Sequence, residues 1–310
     1  MESLPPDPER EERPEAVPRW YGPYRPFLGP PQPRPWHPPT QVALCVGLFV
    51  ATAFSTALTN GSAYAATVMV ILLSHELGHY FMCRRYRVRS TLPFFIPFFP
   101  LRLPFSHVPV LASPFGTLGA LILMRQRIAS RKAVFDIGIA GPLAGLVPSI
   151  IALAYGLAHS TLVPTPLPDT GQINLGSSLA LFGLEALIHP HQATGMEVLL
   201  HPVGYAGWAG LFLTSLNLLP VGQLDGGHVL YGLFGRRARL ITWSALVGVI
   251  VLAMFHHEWF VLAALLLLFA RRGHPPAYDD EIPLDRRRRA LGIFAMVVFI
   301  VTFTPVPFSF

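Results

Sequence analysis

The sequence predicts an all-α polytopic membrane protein with about six to seven transmembrane helices and a membrane-dipping loop that resembles a β-hairpin. Charged residues make up only 13% of the chain, compared with roughly 25% in ordinary globular domains. Hydrophobic residues reach 52%, and the mean hydropathy is +0.47. The apolar residues form uninterrupted runs and do not alternate with polar ones as in a surface helix or half-buried strand. These observations argue against a soluble enzyme and indicate that the solvent is a lipid bilayer.

Seven apolar segments have about the length that a helix needs to cross a hydrocarbon core of roughly 30 Å. They are residues 41–58, 64–83, 133–157, 204–220, 238–256, 258–271 and 290–305. The sixth segment is short for a crossing, and the turn at 256–258 is also compatible with a break inside a re-entrant pair. Six and seven crossings therefore both remain open.

The distribution of basic residues predicts the orientation. All 23 lysines and arginines lie on one side of these segments, in the N-terminal tail and in residues 84–132, 236–239 and 271–289. Since cytoplasmic loops carry the excess of positive charge, we expect a multi-pass protein with its N-terminus in the cytoplasm. The membrane that we expect for it is a bacterial cytoplasmic (inner) membrane. The net charge of +6 is thus explained by the membrane, and no nucleic-acid partner is expected.

Composition divides the chain into two parts. Residues 1–40 are rich in proline and lack an apolar core of signal-peptide length, which predicts a disordered cytoplasmic tail. Residues 41–310 form the transmembrane domain. Cys45 and Cys83 lie in or beside apolar segments, and we expect them to be free thiols.

The segment 84–132 is apolar, but it does not predict a single helix. Six prolines between positions 93 and 114 would break one. Residues 116–124 instead predict an extended element or hairpin that dips into the membrane, where protein or water must satisfy its polar groups. In the outer loop 158–203, an amphipathic pattern near 179–188 predicts a short helix lying flat on the membrane surface.

The strongest chemical signal is the pentapeptide HELGH at residues 75–79, inside the second apolar segment. A spacing of four places His75 and His79 on one face of a helix, about 6 Å apart along its axis, so both imidazoles can reach one metal ion. Glu76 lies close enough to act as general base on water at that metal. A single histidine on an apolar face is more often structural. Three ionisable residues on one turn within a bilayer, however, require an organising partner, and the pattern predicts a zinc site.

A catalytic zinc site normally has three protein ligands and one open position, so a third ligand is required. Asp225 is the best candidate, because it follows an apolar segment ended by Pro220 and precedes two glycines that permit close backbone approach. His228 is expected to support the ligands without binding the metal, because a fourth protein ligand would close the site. Cys83 lies about 12 Å from His75 on a straight helix, which is too far for a shared ion.

Four stretches together resemble the site-2 protease family of intramembrane zinc metalloproteases. They are HELGH at 75–79, FGTLGA at 115–120, FDIGIAGPLAG at 135–145 and NLLPVGQLDGGH at 217–228. The resemblance covers about residues 64–235, which would be the catalytic core. The C-terminal spans, about 238–305, lie outside it.

The resemblance implies Zn²⁺ as cofactor, with His75, His79 and Asp225 as ligands and Glu76 as catalytic base. It also implies that a substrate transmembrane helix unwinds and pairs as a strand with residues 116–124, which contain Gly116 and Gly119. An added strand would expose its scissile carbonyl to the metal, whereas a helical peptide bond is shielded.

Some family members have asparagine at the position of Gly145. If that side chain holds substrate, Asn217 is the candidate for the role here.

The function that follows is hydrolysis of peptide bonds within or next to the transmembrane segments of substrate membrane proteins, as in regulated intramembrane proteolysis. Three alternatives remain: an ion or small-solute transporter with buried His and Asp, an inactive relative that only binds membrane helices, and another membrane zinc peptidase. The third would need a glutamate ligand, and Glu185 and Glu197 fall in the outer loop. The substrate, any requirement for prior cleavage, and the oligomeric state stay open.

Overall fold

The computed structural model describes residues 37–99, 101–102, 109–111, 113–124, 128, 130–164, 174–190, 196–256, 259–272 and 283–309. Most of the tail predicted at 1–40 lies outside the described residues, as does most of the turn predicted at 256–258.

Eight α-helices make up most of the described chain. They are α1 Pro39–Arg85, α2 Arg131–Ala158, α3 Leu179–Ile188, α4 Pro202–Asn217, α5 Asp225–Phe234, α6 Ala238–Phe255, α7 Phe260–Arg272 and α8 Arg286–Thr302. The fold is therefore mostly helical, as predicted. Among the described residues, α1, α2 and α6 are long and apolar enough to cross a membrane. Helices α4, α7 and α8 have 16, 13 and 17 residues, and the count of six to seven crossings stays a prediction.

Helix α1 consists of two antiparallel helical segments that meet at Gly61. This glycine has φ +84° and ψ 168°, which interrupts the helix. The Nε2 atom of His37 lies 3.1 Å from the hydroxyl oxygen of Tyr80, 43 residues later. A straight helix would separate those residues by about 65 Å, so the chain reverses direction at Gly61. The two segments correspond to the apolar stretches at 41–58 and 64–83.

Short strands pair two by two outside the helices. They are β1 Phe94–Pro97, β2 Leu101–Arg102, β3 Pro109–Leu111, β4 Thr117–Leu121, β5 Thr161–Pro164, β6 Asn174–Leu175, β7 Met196–Leu199 and β8 Phe308–Ser309. The antiparallel pairs are β1 with β4, β2 with β3, β5 with β7, and β6 with β8. The extended element predicted at 116–124 contains β4, whose partner β1 lies about twenty residues earlier in the chain.

Helix α2 lies between α1, α4 and α5 and forms the centre of the fold. Small residues allow its close approach to α4: a Cβ atom on Gly156 would lie 2.1 Å from the Cα of Gly204. Such small-residue contacts are typical of helix packing in membranes. Phe135, Leu153 and Trp208 fill the surrounding core and are almost completely buried. This tight packing fixes the faces of α1, α2 and α5 that carry the ionisable residues.

Candidate metal centre

The two histidines of the pentapeptide converge on the second half of α1. The Nε2 atoms of His75 and His79 lie 3.1 Å apart, because residues four apart occupy neighbouring positions on one helix face. The ring centroids are 4.8 Å apart, with the planes inclined at 68°. Both nitrogens therefore point to the same small volume.

Asp225, the first residue of α5, reaches this volume directly after the turn that follows α4. Its Oδ2 atom lies 3.3 Å from Nε2 of His75 and 3.2 Å from Nε2 of His79. Two glycines make the turn possible: a Cβ on Gly226 would lie 2.0 Å from the carbonyl oxygen of Leu218, and one on Gly227 would lie 2.3 Å from that of Gly222. Any side chain at these positions would push the backbone, and with it the carboxylate, away from the histidines.

The spacing of the three ligand atoms fits a tetrahedral zinc ion. Ligands about 2.0–2.1 Å from such an ion lie about 3.3 Å from one another, and the three distances here are 3.1, 3.2 and 3.3 Å. Two imidazoles and one carboxylate also match the donor types found at catalytic zinc sites. In the described part of the chain, His75, His79 and Asp225 form the one group of three or more His, Cys, Asp or Glu side chains able to share an ion.

A backbone carbonyl fixes the orientation of His79. Its Nδ1 atom lies 2.7 Å from the carbonyl oxygen of Ile137 in α2, so Nδ1 carries the proton that is donated. The Nε2 atom then presents its lone pair towards Asp225 and His75. Metal-binding histidines commonly have such a partner on the second nitrogen. Sequence reasoning missed this contact because a backbone acceptor leaves no mark on residue identity.

Glycines of α2 make room for the imidazoles. A Cβ on Gly141 would lie 2.1 Å from Nε2 of His79, and one on Gly145 would lie 3.1 Å from the Cβ of His75. A Cβ on Gly138 would lie 2.6 Å from the Cβ of His228. The repeated glycines between 138 and 145 are the sequence signal for this close approach, although sequence reasoning used them only as part of a family resemblance.

The remaining predicted residues occupy different places. Glu76 is buried at 5% exposure, adjacent in sequence to His75. The side-chain nitrogen of Asn217, the last residue of α4, lies 3.4 Å from Nε2 of His75. His228 is in the first turn of α5, and its Nδ1 donates a hydrogen bond of 2.9 Å to the carbonyl oxygen of Leu224. Helix α4 ends at Asn217, not at Pro220 as predicted, because the chain already enters the turn to α5 there.

Gly116 directly precedes β4, and Gly119 lies within it. Both have positive φ, +68° and +96°. A Cβ on Gly116 would lie 2.8 Å from the Cα of Thr56, so this glycine permits direct contact with α1. A Cβ on Gly119 would meet no atom within 4 Å. Open space therefore lies beside this position of β4.

Three side chains missed by sequence reasoning hold the turn that precedes β4, at residues 113–116. The Ser55 hydroxyl donates to the carbonyl oxygen of Gly116 at 2.8 Å. The Asn60 amide and the Tyr205 hydroxyl both donate to the carbonyl oxygen of Pro114, at 2.7 and 3.0 Å. The turn is thereby attached to both α1 and α4.

Comparison with protein families decides the classification. The model for peptidase family M50 matches residues 63–255, which include the pentapeptide, all of α2 and the turn bearing Asp225. The chain belongs to peptidase family M50. The resemblance to site-2 proteases is thereby confirmed at the level of the family.

Among the relatives of this M50 family member are plant proteins described as probable zinc metalloproteases. The chain is 34% identical to the chloroplastic protein EGY1 of Oryza sativa subsp. japonica over 251 residues, covering 77% of this chain and 39% of that protein. It is 34% identical to EGY1 of Arabidopsis thaliana over 253 residues, covering 77% and 42%. EGY2 of Arabidopsis thaliana is 25% identical over 254 residues, covering 82% and 43%.

The chain thus spans about two fifths of the length of these relatives. No solved structure matches it significantly.

Proposed function

We propose that the chain is an intramembrane zinc metalloprotease, which hydrolyses peptide bonds within or next to the transmembrane segments of other membrane proteins. The observation that carries the proposal is the set of three ligand atoms, 3.1 to 3.3 Å apart, beside a buried glutamate in an apolar helix. Membership of peptidase family M50 and the names of the plant relatives support the same activity.

In the proposed mechanism, His75, His79 and Asp225 would hold the zinc. When bound, zinc would supply a Lewis acid that polarises the scissile carbonyl and lowers the pKa of the attacking water. Glu76 takes the proton from the attacking water and transfers it to the nitrogen of the leaving amine. Asn217, beside His75, is placed to donate a hydrogen bond to the substrate backbone.

His228 supports the centre from α5. Its ring is fixed by the bond to the carbonyl oxygen of Leu224, and its Cβ packs on Gly138. These contacts hold the first turn of α5, which begins at Asp225. A residue with this role affects the position of the carboxylate without binding the metal.

The substrate is proposed to bind as an added strand on β4. Among the described strands, β4 pairs only with β1, which leaves its other edge without a strand partner, and a Cβ on Gly119 would meet no atom within 4 Å. A strand edge can bind segments of many different sequences, because its main-chain hydrogen bonds do not depend on side-chain identity. A helical substrate segment must unwind to use this edge, which also exposes its peptide carbonyl for attack.

The apolar helices make this a membrane protein, and we propose the finer topology from charge. All 23 basic residues lie on one side of the predicted crossings, which favours seven crossings with the N-terminus in the cytoplasm. A bacterial inner membrane remains our proposal; the plant relatives are described as chloroplastic. We also propose residues 41–310 as the metalloprotease domain, with 1–40 as its tail.

Glu76→Gln tests the mechanism. This variant keeps the size of the side chain and all three ligands, so purified protein should retain one zinc ion per chain but not cleave a membrane-embedded reporter substrate. Glu197→Gln, an exposed site on β7, is the matched control and should cleave normally. Cleavage by Glu76→Gln would rule out the proposed base.

Zinc content separates the protease from a transporter. We expect stoichiometric zinc in the wild-type protein and its loss in Asp225→Ala. Wild-type protein that binds no zinc would contradict the proposal and favour an ion-relay function. Membrane proteins that accumulate in cells carrying Glu76→Gln, compared with the wild type, would identify the substrates.

A further inference from the structure

Outside the metal centre, three segments are joined by a cluster of polar side chains around Asp136. The Asp136 carboxylate accepts two hydrogen bonds from Arg288, from Nε at 2.8 Å and from Nη2 at 2.7 Å. It also accepts a short hydrogen bond from the Tyr86 hydroxyl. Tyr86 follows the end of α1, Asp136 lies in the second turn of α2, and Arg288 lies in the first turn of α8. One carboxylate thus joins three helices.

The chemistry of the cluster makes it a strong attachment. An arginine that binds both oxygens of a carboxylate fixes orientation as well as distance. The Asp136 side chain is 15% exposed and Arg288 is 32% exposed, so water screens the pair only in part. Burial and the bond to the carboxylate raise the pKa of Tyr86, which keeps the phenol protonated as a donor. The Asp136 partner likewise raises the pKa of Arg288.

Packing supports the same arrangement. Helix α8 approaches α2 closely at Gly292, where a Cβ would lie 2.9 Å from a ring carbon of Phe135, the neighbour of Asp136. The second partner of Arg288 is Asp285, an exposed residue at the N-terminus of α8. This second pair stays within one segment, whereas the pair with Asp136 crosses between helices.

The cluster is next to the contact that orients His79. Asp136 directly precedes Ile137, whose carbonyl oxygen accepts the hydrogen bond from His79. Tyr86 is seven residues after His79, about two helical turns and about 10 Å along the axis. Two links, one from His79 in α1 and one from Tyr86 directly after α1, therefore join this part of the chain to one turn of α2. Together they fix the position of Ile137 along the axis of α1 relative to His79.

We propose that Asp136, which accepts hydrogen bonds from Arg288 and Tyr86, is a positioning residue for the metal ligand His79. The inference rests on the proposed function, because it assumes that His79 binds zinc. It assigns a role to α8, which lies outside the matched family region of 63–255. Release of Asp136 would let α2 slide relative to α1, and the His79 ring would lose its fixed orientation.

The test compares two substitutions that remove a carboxylate from the same arginine. Asp136→Asn removes the charge and one of the two acceptor oxygens that join the helices, whereas Asp285→Asn, the matched control, removes the charge of the pair within α8 and keeps a good helix cap. We would measure the zinc dissociation constant of full-length protein by chelator competition, and the visible spectrum after Co²⁺ substitution. Asp136→Asn should raise the dissociation constant about tenfold, as for residues that orient metal ligands, and shift the spectrum. Asp285→Asn should change neither.

Several results would overturn the inference. One is a wild-type dissociation constant and spectrum in Asp136→Asn, and another is an equal effect of Asp285→Asn. If Asp136→Asn does not fold, Tyr86→Phe decides, since it removes one hydrogen bond and no charge. It should raise the constant less but in the same direction, and no change would overturn the inference. A wild-type protein without zinc affinity would instead contradict the proposed function itself, along with this inference.

Discussion

Gly141 of α2 lies directly against the His79 imidazole, so that a Cβ at this position would be 2.1 Å from the Nε2 atom. Atoms at that distance overlap, and either the ring or the helix must move. The Nδ1 atom of the same ring is held by the carbonyl oxygen of Ile137, also in α2, at 2.7 Å. The smallest possible side chain at position 141 therefore displaces the nitrogen that we propose as a metal ligand.

We predict that Gly141→Ala lowers zinc affinity at least a hundredfold, because one of three ligands is displaced. Gly248→Ala is the control: Gly248 also lies in a helix, but a Cβ there would meet no atom within 4 Å. Chelator competition with the purified proteins measures the affinity and checks the prediction. Normal zinc binding by Gly141→Ala would show that His79 is not needed as a ligand.

A second prediction separates the proposed ligand Asp225 from the proposed supporting residue His228. Asp225→Asn removes the anionic oxygen at 3.2 to 3.3 Å from both imidazoles, and zinc binding should be lost. His228→Ala removes the bond to the carbonyl oxygen of Leu224, and the zinc dissociation constant should rise roughly ten- to hundredfold with binding retained. Chelator competition measures both. Equal loss in the two variants would make His228 a ligand.

How well the sequence predicted each contact of this site depends on how far apart the contacting residues lie along the chain. His75 and His79 share a helix face because the helical period is a local property, so their separation of four residues was enough to predict that they converge. Asp225 was predicted because a carboxylate between an apolar segment and two glycines needs a partner. The distance between Asp225 and His79, however, joins residues 146 positions apart, and it depends on how three helices pack.

What the sequence did not predict has two physical causes. The carbonyl oxygen of Ile137 is a backbone acceptor, which every residue type provides equally. Asp136 and Arg288 are 152 residues apart, and no local pattern pairs them. The strand at 117–121 was expected as an extended element, but its pairing with 94–97 depends on contacts across an intervening segment. The reversal at Gly61 was expected as a loop between two spans.

A third prediction concerns that reversal. Gly61 has φ +84° and ψ 168°, a conformation found essentially only in glycine, which costs a residue with a Cβ about 1–3 kcal/mol. A Cβ there would meet no atom within 4 Å, so steric contact adds nothing to this cost. We expect Gly61→Ala to reduce the free energy of unfolding by about that amount.

Gly47→Ala is the matched control for Gly61→Ala. Gly47 also lies in α1 with open space around it, but its backbone is helical. Alanine should therefore stabilise the helix there by up to about 1 kcal/mol. Unfolding by denaturant in detergent micelles measures both variants. If Gly61→Ala stabilises the protein as Gly47→Ala is expected to do, the conformation at Gly61 is not the reason for the glycine.

The last prediction concerns the turn before β4, which we expect to set the position of the proposed substrate strand. Tyr205→Phe removes the hydroxyl that donates to the carbonyl oxygen of Pro114 at 3.0 Å, and Asn60→Ala removes the amide donor at 2.7 Å. Without both donors, the carbonyl loses its attachment to α4 and α1. The amides of β4 should then exchange hydrogen faster, because local opening costs less free energy.

This looser strand should change substrate binding more than chemistry. We expect the double variant to raise KM for a membrane-embedded substrate at least threefold and to leave zinc content unchanged, because neither residue contacts the three ligand atoms described above. Thr67→Ala provides the control, since Thr67 is a partly exposed α1 residue whose hydroxyl donates a hydrogen bond within the helix, to the carbonyl oxygen of Ala63. Hydrogen exchange and cleavage kinetics on the same preparations check both effects. Faster exchange in β4 with an unchanged KM would argue that this strand does not bind the substrate.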